Sequence, residues 1–251
     1  VSSEKSVTLQ GLCADTPLSQ MLQTLNQIDQ TLTLSLNGSH SLFLDGVAAT
    51  ATQTITWMPV AVVLLYVVIR NNDLRAVGTI VLAIALSILI ADQGASSICK
   101  PLFGRLRPTH EPSIMYAVDV VNGYRGGKYG FISSHAANTF AVATLLTLLV
   151  RGRRLAIVLF GWALLNCWTR VYLGVHYVGD LMCGALWGTL TATAVYFAAK
   201  RLCPTLTASN RHYTRHAGFT PGGYQCATVE LLELALLTTY FYILFRALFF
   251  G

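Results

Sequence analysis

Charge is what this sequence has least of. Only 11% of its 251 residues are Asp, Glu, Lys or Arg, where a soluble domain of that length carries about 25%. That scarcity excludes an ordinary water-soluble globule. Acids are rarer still, 11 against 17 bases, for a net charge of +6. The six cysteines fall in no CxxC or other metal spacing and read as small apolar side chains. No internal repeat and no low-complexity tract breaks the chain. What is abundant is apolar: 54% of residues are hydrophobic, mean hydropathy is +0.55, and they gather in long blocks. The class is a polytopic membrane protein. In that class a positive net charge need not mean nucleic acid, and none is expected as a partner. Where the cations fall matters more than their sum.

Five blocks approach the ~20 residues that cross a hydrocarbon core: 46–69, 76–98, 155–173, 177–199 and 228–250. A sixth, 136–150, is short and extends back through Ser134. Pro59 inside the first predicts a kink that neighbouring helices tolerate. The expected fold is therefore all-α, a six-helix transmembrane bundle in one domain, 46–251. A segment, 1–45, precedes it. There Leu18, Met21, Leu22, Leu25, Ile28 and Leu32 recur at helical spacing with glutamines opposite. Thr16 suits the N-cap and Pro17 the first helical position. An amphipathic helix lying on the outer leaflet, or packed on the bundle, fits this pattern. The chain opens on Val1 rather than methionine, which a removed signal segment or an arbitrary cut explains equally.

With six crossings, one face receives Arg70, Arg75, Arg151, Arg153, Arg154, Lys200, Arg201, Arg211 and Arg215, with Asp73 the lone acid. The positive-inside rule makes that face cytoplasmic. The opposite, outer face holds three clusters far apart in sequence. KPLFGRLRPTHEP carries Lys100, Arg105, Arg107, His110 and Glu111. YGFISSHAANTF carries Ser133, Ser134 and His135. TRVYLGVHYVGDL carries Arg170, His176 and Asp180.

Lys100, Arg107 and Arg170 lack an equal supply of nearby acids, so an anion is expected between them. Arginine forks suit phosphate oxygens, and Ser133 opens a helix whose free N–H groups favour an anion. Snorkelling to lipid headgroups is the plainer reading of each cation alone. His176 and Asp180, four apart, are expected on one helical face, the carboxylate fixing one ring nitrogen and freeing the other. Simple capping by that pair is the plainer reading. His135 begins another helix, in reach to protonate a leaving oxygen.

Lys100-x6-Arg107-Pro108, then Ser133-Ser134-His135, then Thr169-Arg170-x5-His176-x3-Asp180, resemble the three-part signature of the type 2 phosphatidic acid phosphatase superfamily, which also includes soluble vanadium haloperoxidases. Ile132 and Ser134 stand where that pattern has Pro and Gly, and Thr169 where it has Ser. The resemblance implies a membrane-embedded, metal-independent lipid phosphatase without cofactor. His176 would form a phosphohistidine, Asp180 orient it, and His135 protonate the leaving oxygen. Lys100, Arg107, Ser133, Ser134 and Arg170 would bind phosphate. Undecaprenyl pyrophosphate and lipid A phosphate lead as substrates, with phosphatidylglycerol phosphate behind them. A transporter, or a phosphate-lipid binder without catalysis, is the alternative; charges gathered at one face favour headgroup chemistry over a transport path.

The remaining polar residues stay open. His110 and Glu111 read as a solvated loop or as headgroup contacts, and residues 115–130 as a flap or an aromatic belt. Asp92 and Gln93 line the cavity or support Lys100. His212 and His216, flanked by Cys203 and Cys226, read as a basic lipid-facing loop or a zinc site. Glu230 and Glu233 face that same surface or the bundle interior.

Overall fold

The computed structural model describes residues 17–39, 41–204, 206 and 218–250. Thr16, Arg211, His212, Arg215 and His216, to which the sequence assigns capping, topological or zinc roles, lie outside the described residues. Every named element among those residues is helical. In chain order they are α1 (Pro17–Leu36), α2 (Leu42–Ala51), α3 (Met58–Asn71), α4 (Leu74–Gln93), α5 (Lys100–Phe103), α6 (Ser134–Val150), α7 (Arg153–Tyr172), α8 (Val178–Leu202) and α9 (Cys226–Phe250). Five helical stretches are long and apolar enough to cross a membrane: Thr54–Asn71, Leu74–Phe103, Arg153–Tyr172, Val178–Leu202 and Cys226–Phe249. α2 and α6 are apolar but shorter.

The first expected span differs. It is broken rather than kinked: α2 ends at Ala51, a 3-10 turn runs over Thr54–Trp57, and α3 starts at Met58. Side chains close the break. Thr56 Oγ1 donates to the Thr50 carbonyl at 2.8 Å and Trp57 Nε1 to that of Ala51 at 2.8 Å. Freed backbone acceptors are thus satisfied locally, as an apolar setting demands. Pro59 lies in the first turn of α3, where its missing N–H costs nothing.

α4 is capped by Asp73, whose Oδ1 accepts the Ala76 N–H at 2.7 Å. It runs on through a π-helical turn, Gly94–Cys99, into α5. At about 1.5 Å per residue this continuous rod holds Arg75 and Lys100 roughly 37 Å apart. The arginine-rich loops and the three polar clusters therefore occupy opposite ends of the bundle. At the arginine end, Glu230 and Glu233 line a cavity together with Arg151, Arg153 and Arg154, the first of the two locations the sequence left open for them.

α6 is the axis of the molecule, packed against α8, α7 and α4. Its closest neighbour is α8, and Gly184 and Gly188 explain why. A Cβ at Gly184 would stand 2.5 Å from the Ser133 carbonyl oxygen, and one at Gly188 would collide with the Ala137 carbonyl. Small residues four apart let two backbones touch, which drives helix association where no hydrophobic effect operates.

α1 presents Leu18, Met21, Leu22, Leu25, Ile28 and Leu32 outward, all well exposed, while Thr33 is fully buried. Its polar side, not its apolar stripe, faces the protein. The helix thus packs on the bundle through its polar side and leaves its apolar stripe exposed.

Candidate active site

The first cluster is carried by α5 and the loop after it. Lys100 Nζ donates to Ser96 Oγ at 3.1 Å and to Ser134 Oγ at 3.2 Å. Arg107 directly follows a single antiparallel bridge, Leu106 with Tyr129. Its backbone N–H meets the Lys128 carbonyl at 3.1 Å and its Nε the Tyr129 carbonyl at 3.0 Å. The long loop is thereby folded back over the cluster. Thr109, buried, fixes it further by donating to the Arg125 carbonyl at 2.9 Å.

The second cluster opens α6. Ser133 is the N-cap, fully buried, accepting from the Ala136 N–H, and its own N–H donates to the Asp180 carbonyl at 3.1 Å. Its neighbour Ser134 departs from the family pattern, and its hydroxyl anchors the Lys100 ammonium, a role that glycine lacks. Of the two polar residues before the cluster, Asp92 accepts from Asn138 at 3.4 Å and Gln93 from Ser97 at 2.8 Å. Lys100 lies within electrostatic reach of Asp92 but donates its hydrogen bonds to serines.

The third cluster straddles the α7–α8 turn. Arg170 is 2% exposed. Its Nε donates to Thr169 Oγ1 at 3.3 Å, and its Nη2 is buried without a partner. His176 and Asp180 do not share a helical face. The helix breaks at Gly174, φ +66°, and His176 sits in the turn before α8. Asp180 occupies the third position of α8, where Oδ2 accepts both the Tyr177 N–H at 3.2 Å and the His176 ring at Nδ1, 3.4 Å. The carboxylate therefore caps the helix and orients the imidazole at once.

These groups converge. Arg170, His176, Lys100 and Arg107 all act electrostatically on His135, which is exposed at the mouth of the cluster. Among the described residues, ion pairs engage Arg105, Asp29, Asp180 and His176, but not Lys100, Arg107 or Arg170. No hydrogen bond to His176 Nε2 is found among the described residues. Burial pushes the His176 ring down to about 4; the Asp180 hydrogen bond opposes that fall, while Arg107 and Lys100 add to it. Desolvation outweighs the two cations as the cause. A neutral imidazole with one nitrogen held, beside uncompensated cations, can attack an oxyanion ester held among them.

Sequence reasoning left Arg105 without a role and did not see Asp29. Arg105 Nη1 meets Asp180 Oδ1 and its Nη2 meets Asp29 Oδ2, both at 2.8 Å. The available hint was Asp29 standing among polar residues opposite the apolar stripe of α1.

The architecture is that of an all-helical integral membrane protein with its polar clusters gathered at one end. Residues 76–203 match the family model of the PAP2 superfamily, and the chain belongs to that superfamily. It is 43% identical over 187 residues to a lipid A 4'-phosphatase of Bacteroides thetaiotaomicron, covering 74% of this chain and 83% of that one. A lipid A 4'-phosphatase of Porphyromonas gingivalis is 33% identical over 175 residues, covering 70% and 74%. The crystal structure of a transmembrane PAP2-type phosphatidylglycerolphosphate phosphatase from Bacillus subtilis shares the fold, with a TM-score of 0.53 at 18% identity, over 76% of this chain and 91% of that one.

Proposed function

We propose that this protein is a lipid phosphatase removing a phosphate monoester from lipid A, working at the periplasmic face of the bacterial inner membrane. α6 completes six crossings, residues 46–251 form the phosphatase domain, and the apolar stripe of α1 rests in the outer leaflet. The observation that carries the reading is the buried, unpartnered Arg170 Nη2 beside Lys100 and Arg107, with the His176–Asp180 pair at the same place. Three cations that form no ion pair among the described residues fit a phosphate. The similarity to two lipid A 4'-phosphatases supports lipid A among the candidates left open by the sequence.

In this mechanism Lys100, Arg107, Arg170, Ser133 and the Ser134 N–H hold the non-bridging oxygens. His176 Nε2 attacks phosphorus, and the bond from phosphorus to the sugar oxygen breaks as His135 gives that oxygen a proton. Asp180 keeps the Nδ1 proton in place and stabilises the ring while it carries the phosphoryl group. Water, deprotonated by His135, then cleaves the phosphohistidine and frees phosphate. Spreading charge over the equatorial oxygens is most of what such a site supplies.

The test is phosphate release by the purified chain from lipid A, undecaprenyl pyrophosphate and phosphatidylglycerol phosphate, with EDTA present, beside His176→Ala. Release from lipid A that survives EDTA and is lost in the variant supports the reading. Preference for the pyrophosphate would replace the substrate. Dependence on a metal, or an active His176→Ala, would end the mechanism.

A further inference from the structure

The Asp180 carboxylate is fully buried, and its two oxygens serve different partners. Oδ2 takes the His176 ring and the Tyr177 N–H. Oδ1 takes Arg105 Nη1 at 2.8 Å. Arg105 reaches further: Nη2 donates to Asp29 Oδ2 at 2.8 Å and to Asn26 Oδ1 at 2.9 Å. Its guanidinium lies 4.0 Å over the Tyr177 ring. The other oxygen of Asp29 accepts the Gly179 N–H at 2.9 Å, one residue before Asp180. Asp29 thus grips the first turn of α8 twice, directly at Gly179 and through Arg105 at Asp180.

We propose that Asp29 and Arg105 are positioning residues of the active site: a clamp, half of it borne by α1, that fixes the Asp180 carboxylate and through it the tautomer and angle of His176. The clamp rests on the reading of His176 as nucleophile. A planar guanidinium suits the task because its fork binds two carboxylates in one fixed geometry, which an ammonium does not. Without Arg105, Oδ1 would be a buried acceptor without a partner, and the carboxylate would turn to find one. Turning it releases His176 Nδ1. Asp29 lies outside the residues that match the family, so the clamp couples the N-terminal helix to a signature found elsewhere in the chain. Thr33, which accepts the Val178 N–H at 3.2 Å, docks the same helix without reaching Asp180.

The experiment uses the full chain with lipid A as substrate and three readouts: kcat and KM, thermal midpoint, and the nitrogen-15 spectrum of the His176 ring, assigned by its loss in His176→Gln. Asp29→Asn is expected to lower kcat about ten- to a hundredfold with KM within twofold, and to blur the single Nδ1–H tautomer. Arg105→Gln is expected to fall at least as far, and the double variant no further. Arg105→Lys should not rescue, since it keeps the charge and loses the fork. Thr33→Val should lower the midpoint while kcat stays within twofold. The clamp is overturned by parental kcat and ring spectrum in Asp29→Asn or Arg105→Lys, by multiplicative losses in the double variant, or by an equal loss of kcat in Thr33→Val. If the parent chain releases no phosphate from lipid A, the proposed substrate falls, and the ring spectra of the same variants still decide the clamp.

Discussion

The Ser133 N–H donates to the Asp180 carbonyl oxygen at 3.1 Å, so the backbones of two motifs distant in sequence are joined at the start of α6 and α8. The join depends on close approach, which Gly184 and Gly188 permit. Gly184→Ala would place a methyl 2.5 Å from the Ser133 carbonyl. The expected cost is about 1–3 kcal/mol of stability from overpacking, with kcat reduced as Ser133 moves away from Asp180. A thermal melt and initial rates on one preparation check both.

Arg170→Lys keeps a positive charge and loses the buried fork. Removing one well-placed donor from a transition-state site costs roughly a hundred- to a thousandfold in kcat. The expected loss is of that size, with weaker inhibition by vanadate, a tetrahedral anion of similar charge. Steady-state rates with and without vanadate measure it.

Ser134→Ala removes one of the two hydroxyls on the Lys100 ammonium and leaves Ser96. A single hydrogen bond is worth about 1 kcal/mol net, roughly a fivefold change. The expected outcome is a severalfold rise in KM with kcat little altered, read from saturation curves.

The pH dependence has a definite sign. The His176 ring is lowered from 6.5 to about 4, first by burial. The folded protein therefore binds fewer protons than the unfolded chain across that window, and stability rises with pH from about 4 to 6.5, then levels. Activity depending on neutral His176 should lose its acid limb near 4 rather than near 6.5. Asp180 raises the ring, so Asp180→Asn should push that limb lower still while kcat falls. Rate profiles and melts between pH 3.5 and about 8 test the direction.

The helical class, the long spans and the gathering of three motifs at one end were legible because apolar runs and charge placement follow from the bilayer alone. The break between Ala51 and Met58 was not legible. Its cause is a pair of side-chain bonds, Thr56 to Thr50 and Trp57 to Ala51, inside an apolar run that reads as continuous. The pairing of His176 with Asp180 was legible, but not its geometry, since the positive φ of Gly174 takes the histidine out of the helix. Arg105 escaped for another reason. Its partner Asp29 lies far away in sequence on a helix whose obvious feature is its apolar stripe.

The bonds from α1 to Gly179 and Val178 bear on how portable the family domain is. Every residue of its three motifs lies between Lys100 and Asp180, yet the first turn of α8 is stitched to a helix that precedes that stretch entirely. A minimal catalytic unit cut at the motif boundaries would keep the chemistry's whole alphabet and lose the brace that spells it in order.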